Sequence, residues 1–599
     1  MKKLGFLFVF MALAGLTFAQ NAVVDQTNES GTSVQAAVTQ TGTNTATVTQ
    51  SSVLNVNNVN TISATVNQTN TPGGVANSVT INQSITDDDD SDGSILSADA
   101  TQEGEDNSIR QTQENNGNDF LDRFVSRVFT ASQTGNSNLI EQSSTDGDQG
   151  SVEFTATQVG DENTATQTTL MAGGSSYDGD QTPFATGVIL QEGNLNQATQ
   201  IMQSLDADGN IYQNGSSNTG TQFFGNLSKE NYADIDQFGE ANEAHQTFSS
   251  GNSTAISTLT AFQNGQGNQS EQTVTVGNDN TGYVEQTGNY GDAFQTFTGD
   301  DNNASVDQSG YMNVATQDLI GDMNNATIEQ VGGSENSATQ KMEGHNDNAT
   351  IQQLNNFYGS YNTASQTFTS TSGDNTASIL QNGLGGATPP NTATQYVEGT
   401  SNNLSITQTA ESWYSDATQN VLGAESSNNT LTINQNWGDD NNALQTVSGS
   451  SNTVYGEQHG VWYGNGENLT QTITGDLNDI SVIQYEDNDF ASQTVTGNGN
   501  TLKTVQNGEN ASAVMLVIGD NNVASLEQNG SVASADIYQE GELNVVQGLS
   551  GAEFAIGNGT LDIDQFGTGN IVNIGQTAFG ASATVNQSGA GNVATVNQY

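Results

Sequence analysis

Cysteine is absent from this sequence, which removes disulfides as a source of stability and thiols as a source of chemistry. Proline is nearly absent too, with 4 in 599 residues. Basic residues are scarce: 8 Lys and Arg stand against 66 Asp and Glu, a formal charge of -58. Binding to nucleic acid or to anionic lipid is therefore disfavoured. Apolar residues make up only 33% of the chain, too few for a conventional large core in a protein of this length. After residue 19 no stretch of eighteen consecutive apolar residues occurs, so no membrane-spanning helix and no membrane insertion are expected. The first nineteen residues, MKKLGFLFVFMALAGLTFA, have the basic start, apolar run and small residues of a cleaved secretory signal. A secreted protein is expected, with residues 1–19 as the leader and 20–599 as the mature chain. Loss of Lys2 and Lys3 with the leader leaves 6 basic against 66 acidic residues, a charge of -60.

Catalytic constellations are also missing. The histidines are His245, His345 and His459, far apart in polar stretches, and they read as outward or turn residues. The many serines have no histidine set to activate them. An enzyme is not expected, and neither is a metal centre built from side-chain clusters.

What the sequence does have is a repeat. Gly277, Gly288, Gly299, Gly310, Gly321 and Gly332 fall at equal steps of 11 residues, and two alternating spellings between them make the true period 22. One spelling is Gly299, Asn302, Ala304, Val306, Gln308, repeated at Gly321, Asn324, Ala326, Ile328, Gln330. The other is Gly310, Asn313, Ala315, Gln317, Leu319. Each half alternates every second residue, as a strand does, and ends at a glycine with Asp or Asn beside it, as a turn does. Two strands per period predict an all-β fold, a flattened two-sided β-solenoid of about 25 in-register coils. Coils stacked at roughly 4.8 Å bring each inward residue onto its own copy, so Asn and Gln in a thin Ala/Val/Ile/Leu core form amide ladders. Gln308, Asn313, Gln317, Asn324 and Gln330 are the predicted ladder residues here, with Gly299, Gly310 and Gly321 as turn glycines. A disordered Gln/Asn-rich coil has no physical need to keep these residues in phase.

The step is interrupted near 84–130, 171–187, 384–390, 411–416 and 460–467, predicted to be loop or helix insertions. Pro183, Pro389 and Pro390 lie in such breaks, and Pro72 in another, where a missing N–H is tolerated. Phe120, Leu121, Phe124, Val125, Val128 and Phe129 are spaced like one face of a short helix, either folded back on the solenoid or docking a partner. The run Asp87 to Asp90 reads as a solvated loop, with Ca²⁺ binding as the alternative. No cofactor is expected, but turns such as GDDN, GDMN, GDEN and GDLN would stack Asp and Asn in columns, where weak Ca²⁺ binding would relieve like charge. Outward Thr in runs such as TGTNTATVTQ also offers a hydroxyl lattice to ice.

The carboxyl-terminal QSGAGNVATVNQY, with Gln587, Gly589, Gly591, Asn592, Ala594 and Gln598, is similar to the curlin repeat, and QFGTGNIVNIGQ from Gln565 to Gln576 matches with Val572 in place of Ala. The chain resembles the curli subunit family, extracellular amyloid fimbrial subunits of biofilm matrix and surface adhesion. That resemblance implies ladder roles for Gln565, Asn570, Gln576, Gln587, Asn592 and Gln598, and turn roles for Gly567 and Gly589. It also implies self-association into fibres on the bacterial cell surface, an outer-membrane export pore and a nucleator subunit. The chain departs from the family in having several times the usual number of repeats and, at Gln317 and Gln340, a glutamine shifted inward by two residues. The expected function is a structural subunit assembling end to end by β-stacking; the alternative is a monomeric repeat adhesin whose rod is a spacer for binding loops.

Overall fold

The computed structural model describes residues 20–28, 34–54, 60–71, 73–87, 94–116, 125–146, 150–171, 184–203, 207–225, 228–249, 254–355, 361–383, 390–460, 466–557, 559–577 and 580–598. The leader, residues 1–19, lies outside them. The chain divides into two compact units, 1–301 and 302–599. Apart from one 3-10 turn, Leu549–Gly551, the regular elements of the described residues are strands.

Each unit is a parallel two-sheet solenoid. In the first unit eleven strands form one sheet and ten the other; in the second the numbers are twelve and fourteen. The odd pair in the second unit is Val545–Gly548 and Ala555–Gly557, which share one rung by pairing with the same two neighbours, Val523–Gln528 and Ile571–Gln576. One strand of each sheet per coil gives 23 coils among the described residues, slightly under the expected number.

Register follows the repeat. Asn303–Tyr311 pairs with Asn325–Gly332 so that Ala304 meets Ala326, Val306 meets Ile328 and Gln308 meets Gln330. On the other sheet Val314–Ile320 pairs with Ser337–Met342, placing Gln317 on Gln340 and Leu319 on Met342. The two spellings of the repeat are thus the two sheets. Burial alternates strictly along such strands, and the inward apolar residues, Ala304, Val306, Ala315, Leu319, Ala326 and Ile328 among them, are fully buried. The core is thin, so one small and one larger residue per strand fill it, and the amides take the rest.

The turns explain the glycines. In Gly-x-x-Asn the glycine has a positive φ, 108° at Gly321, and a Cβ there would lie 2.1 Å from the Gly344 carbonyl oxygen of the next coil, so no other residue fits. Two residues on, the chain is left-handed again at Met323, φ 59°, where a side chain is allowed but strained.

Three expectations about the breaks are corrected. Residues 84–130 are not a single insertion, because Ser94–Glu103 and Ser108–Asn116 are regular coil strands within them; their inward Ala98, Ala100, Gln102 and Gln111 keep the repeat. The helix is replaced at its described end by a strand, Val125–Thr134; residues 117–124 lie outside the description. Arg127 is the reason for the misreading. It stands fully buried where the paired strands have Leu96 and Val152, its Nη1 donating to the Glu114 carbonyl at 3.3 Å. Near 411–416 the coil continues, and the extra residues are taken up by a register shift between Thr409 and Ser412. The other breaks fall largely on 172–183, 384–389 and 461–465, and the acidic run largely on 88–93, all outside the described residues.

Candidate functional site: the interior amide ladders

Glutamine ladders run through both sheets. In the second unit Gln308 Nε2 donates to Gln330 Oε1 at 2.8 Å, Gln330 to Gln353 at 2.8 Å, and Gln353 to Gln381 at 2.9 Å. The series continues through Gln408, Gln435, Gln458, Gln484 and Gln506 to Gln528. The opposite sheet carries Gln317, Gln340, Gln366, Gln395, Gln419, Gln445, Gln471 and Gln493 in the same way. Each amide uses a second N–H across the core: Gln330 donates to the Val314 carbonyl at 3.0 Å and Gln317 to the Ser305 carbonyl at 3.0 Å. A primary amide has two donors and an acceptor. Here the acceptor and one donor serve the stack and the other donor binds the facing sheet. The first unit repeats the pattern, as in Gln191 to Gln213 to Gln237 to Gln263, each 2.8 Å.

Asparagine ladders lie at the turns. Asn324 N–H donates to Asn302 Oδ1 at 3.1 Å while its own Nδ2 donates to the Gly344 carbonyl at 2.9 Å. Each Asn thus caps the tight turn of the next coil and receives the backbone of its neighbour. Asn313, in the other sheet's column, accepts from Asn336 N at 3.1 Å.

The residues singled out by resemblance lie in the last coils. Gln565 donates to Gln587 at 3.0 Å, Gln576 to Gln598 at 2.8 Å, and Asn592 N–H to Asn570 Oδ1 at 3.1 Å. Gln565, Asn570, Gln576 and Gln587 are buried, Gln598 is half-buried and Asn592 exposed. Gly299, Gly310, Gly321, Gly567 and Gly589 all have φ between 108° and 121°. The shifted-glutamine ladder breaks after Gln493, which donates to Thr504 Oγ1 at 3.0 Å because Met515 fills the next place. The shifted column goes on through Ile537, and a separate ladder two residues further along the strand, in the column of Val495 and Val517, starts at Gln539, which donates to Gln565 at 2.7 Å.

Outside the core, turn carboxylates accept backbone N–H groups of the preceding coil: Asp161 from Asn136, Asp476 from Ser450 and Asp520 from Asn498, each at 2.7 Å. No group of three metal-binding side chains occurs among the described residues. His245 bonds Glu243 at 2.7 Å, His345 lies 3.6 Å from Asp322, and His459 packs edge-on against Tyr485.

Sequence reasoning missed the acids inside the asparagine ladders. Asp347, Glu467 and Asp489 are all fully buried. Burial pushes Asp347 above the usual carboxylate range, Glu467 up to about 8 and Asp489 up to about 7. The visible signal is an acid in the Asn place of the GxxN turn, at Asp347 after Gly344 and Glu467 after Gly464; Asp489 follows Glu486 and lacks the glycine. On the outer face, burial and then the neighbouring Asp236 push Asp234 up to about 6.

A family model, the curlin associated repeat, matches residues 299–332, the span from Gly299 to Gly332 that holds Gln308, Asn313, Gln317, Asn324 and Gln330. No curated protein matches the chain.

Proposed function

We propose that this chain, a curlin-repeat β-solenoid, is a secreted structural subunit that builds curli-like amyloid fibres at the bacterial surface by stacking coil on coil. The curlin repeat is a structural module rather than a catalytic one. The observation that carries the reading is the self-complementarity of every rung. A coil offers its neighbour the same row of N–H, C=O and amide groups that it receives, so a coil of a second molecule is recognised as the next coil of the same one is. In the coil formed by Val585–Ala590 and Val593–Gln598, the inward Ala594, Val596 and Gln598 are only half-buried and Val593 is 65% exposed. Val593–Gln598 pairs with Ile571–Gln576 and, among the described residues, with nothing on its other edge. Stacking of a further coil would cover both. Among the described residues no helix is long and apolar enough to cross a membrane.

Quiescent incubation of the mature protein, followed by thioflavin fluorescence and fibre diffraction, tests the reading. Seedable fibres with a meridional reflection near about 4.7 Å are the expected result. A β-rich monomer that stays unassembled across pH and salt would refute it and leave the repeat adhesin. That second reading draws support from an outward aromatic row in the first unit, Tyr212, Phe238 and Phe262, with successive centroids 5.3 and 5.5 Å apart.

A further inference from the structure

The turn-side interior place of a coil is an Asn position because Asn both donates and accepts there. Three acids occupy it, and the structure treats them differently. Asp347 is fully satisfied as a carboxylate: Oδ1 accepts from Asn375 N and Nδ2 at 3.0 and 2.9 Å, and Oδ2 from Ser372 Oγ at 2.5 Å. Glu467 and Asp489 follow one another in one column, as the backbone bonds from Asn442 N to Glu467 O and from Asn468 N to Asp489 O show, both 2.8 Å. Among the described residues neither oxygen of Glu467 has a hydrogen-bond partner, and Asp489 Oδ2 has none either; Asp489 Oδ1 accepts from Ala511 N at 2.8 Å, and the Glu486 backbone N–H also favours the Asp489 carboxylate. Gly460 makes room for the longer acid: a Cβ there would stand 2.8 Å from Glu467 Oε1. The next rungs of the column are Ala511 and Ala533, which bring no amide.

Among the described residues the neighbouring turns supply no lysine or arginine. Asp439 and Asp440 lie in the preceding turn, Glu486 and Asp487 in the turn leading to Asp489, Glu509 in the following one, and His459 beside Gly460. Lys503, the nearest lysine in sequence, is paired with Glu553 at 2.8 Å. Two stacked carboxylates, dry and short of donors, are neutralised either by a cation or by protons. A hard divalent cation takes about six to eight oxygen ligands, and the described residues hold no group of three ligating side chains.

We propose that Glu467 and Asp489 form a proton-binding pair, held as neutral acids in the folded second unit, whose ionisation on raising the pH loosens the coils that contain them. The raised values given above point the same way. An acid whose folded-state pKa is raised binds its proton more tightly when folded. Stability is therefore greatest below about pH 4, falls as the pH rises towards about 8, and is flat above that. Each group changes the local opening equilibrium by up to about tenfold per pH unit inside its window. The pair is independent of fibre assembly and is read on monomer or fibre.

The test uses the full mature chain. Infrared spectra at pH 7 are expected to show a protonated-carboxyl band that is lost in E467Q/D489N and kept in D347N. Hydrogen-exchange protection of peptides covering Asn468–Thr474 and Phe490–Thr496, corrected for intrinsic rate, is expected to fall at least about tenfold from pH 5 to pH 8.5 in the wild type and not in the double variant. If the double variant fails to fold, the wild-type band and its pH profile decide. No band at pH 7 with flat protection overturns the proposal. So does recovery of protection at pH 8.5 on adding calcium chloride to the wild type, which would make the pair a cation site.

Discussion

Gln330→Leu tests whether the interior amides hold the coils or merely fill them. The change keeps a side chain of similar size and removes three hydrogen bonds: the acceptor for Gln308 and the donors to Gln353 and to the Val314 carbonyl, at 2.8, 2.8 and 3.0 Å. Gln353 still donates to Gln381, Ser337 and Asn362, but its carbonyl loses the donor from Gln330 in a place without water. The Gln308 N–H and the Gln353 Oε1 both lose this partner; a buried polar group so deprived costs about 1–3 kcal/mol, on the order of 3–5 kcal/mol for the two together, and leucine returns about 1 kcal/mol through its greater apolar area. The net loss is about 2–4 kcal/mol. Because repeat proteins do not unfold as one two-state unit, the assay is local hydrogen exchange. Protection in Asn325–Gly332 and the paired Asn348–Asn355 is expected to fall about 30- to 1,000-fold, while Thr501–Gln506, several coils away, is unchanged. Val331→Ala, at an outward 39% exposed position, is the control. Equal protection in Q330L and V331A would show that the ladder follows from the stacking and does not stabilise it.

Gly321→Ala places a Cβ 2.1 Å from a backbone oxygen and is expected to abolish protection of its own turn, whereas Met323→Gly two residues later relieves a left-handed φ of 59° and is expected to raise protection by about 1 kcal/mol; exchange at the 321–324 turn distinguishes them. Asp234, raised to about 6 by burial and Asp236, makes its coil lose stability as pH rises from about 4 to 6; in Asp234→Asn that step is expected to shrink in the hydrogen-exchange protection of Asn231–Glu240 compared at pH 4.5 and pH 7. In the proposed fibre, stacking is opposed by the mature chain's formal charge of -60, so thioflavin lag times are expected to shorten as salt is raised from about 10 to 150 mM, over which the Debye length falls from about 30 to 8 Å. A salt-independent lag would count against charge as the brake.

Most of the fold was legible because the repeat writes each interior place many times over. Asn302, Ala304, Val306 and Gln308 recur at Asn324, Ala326, Ile328 and Gln330, and a strand that faces its own copy has only one register that aligns all four. Legibility failed where a single coil departs from its neighbours. Val125–Thr134 carries Phe129, Ala131 and Gln133 in the right phase, yet the apolar residues from Phe120 to Phe129 are spaced like a helical face, and Arg127 at an inward strand place argues against a strand. A periodicity test weighs residue type, whereas a stack also accepts a cation whose stem packs like Leu96. The acids at 467 and 489 escaped for a different reason: at a turn rich in Asp and Asn, an inward acid looks like any outward one. What separates them is the place in the repeat, the Asn position that closes the turn, which shows only when the coils are aligned with one another.

The polar core is better understood as a lock on register than as a substitute for apolar packing. Alternation alone allows a strand to slip by two residues and still bury its small and apolar side chains. A slip of two at Asn325–Gly332 would set Gln330 against Val306, leaving an amide in the dry interior with no partner, and the penalty would recur at each rung. The offset between the sheets completes the lock. In Asn303–Tyr311 the glutamine is the last inward residue before the turn glycine, and in Val314–Ile320 it is the one before last. The offset sends Gln330 to the Val314 carbonyl and Gln317 to the Ser305 carbonyl, so each ladder also fixes the height of the opposite sheet. A second molecule docking by the same rungs would be held to the same register.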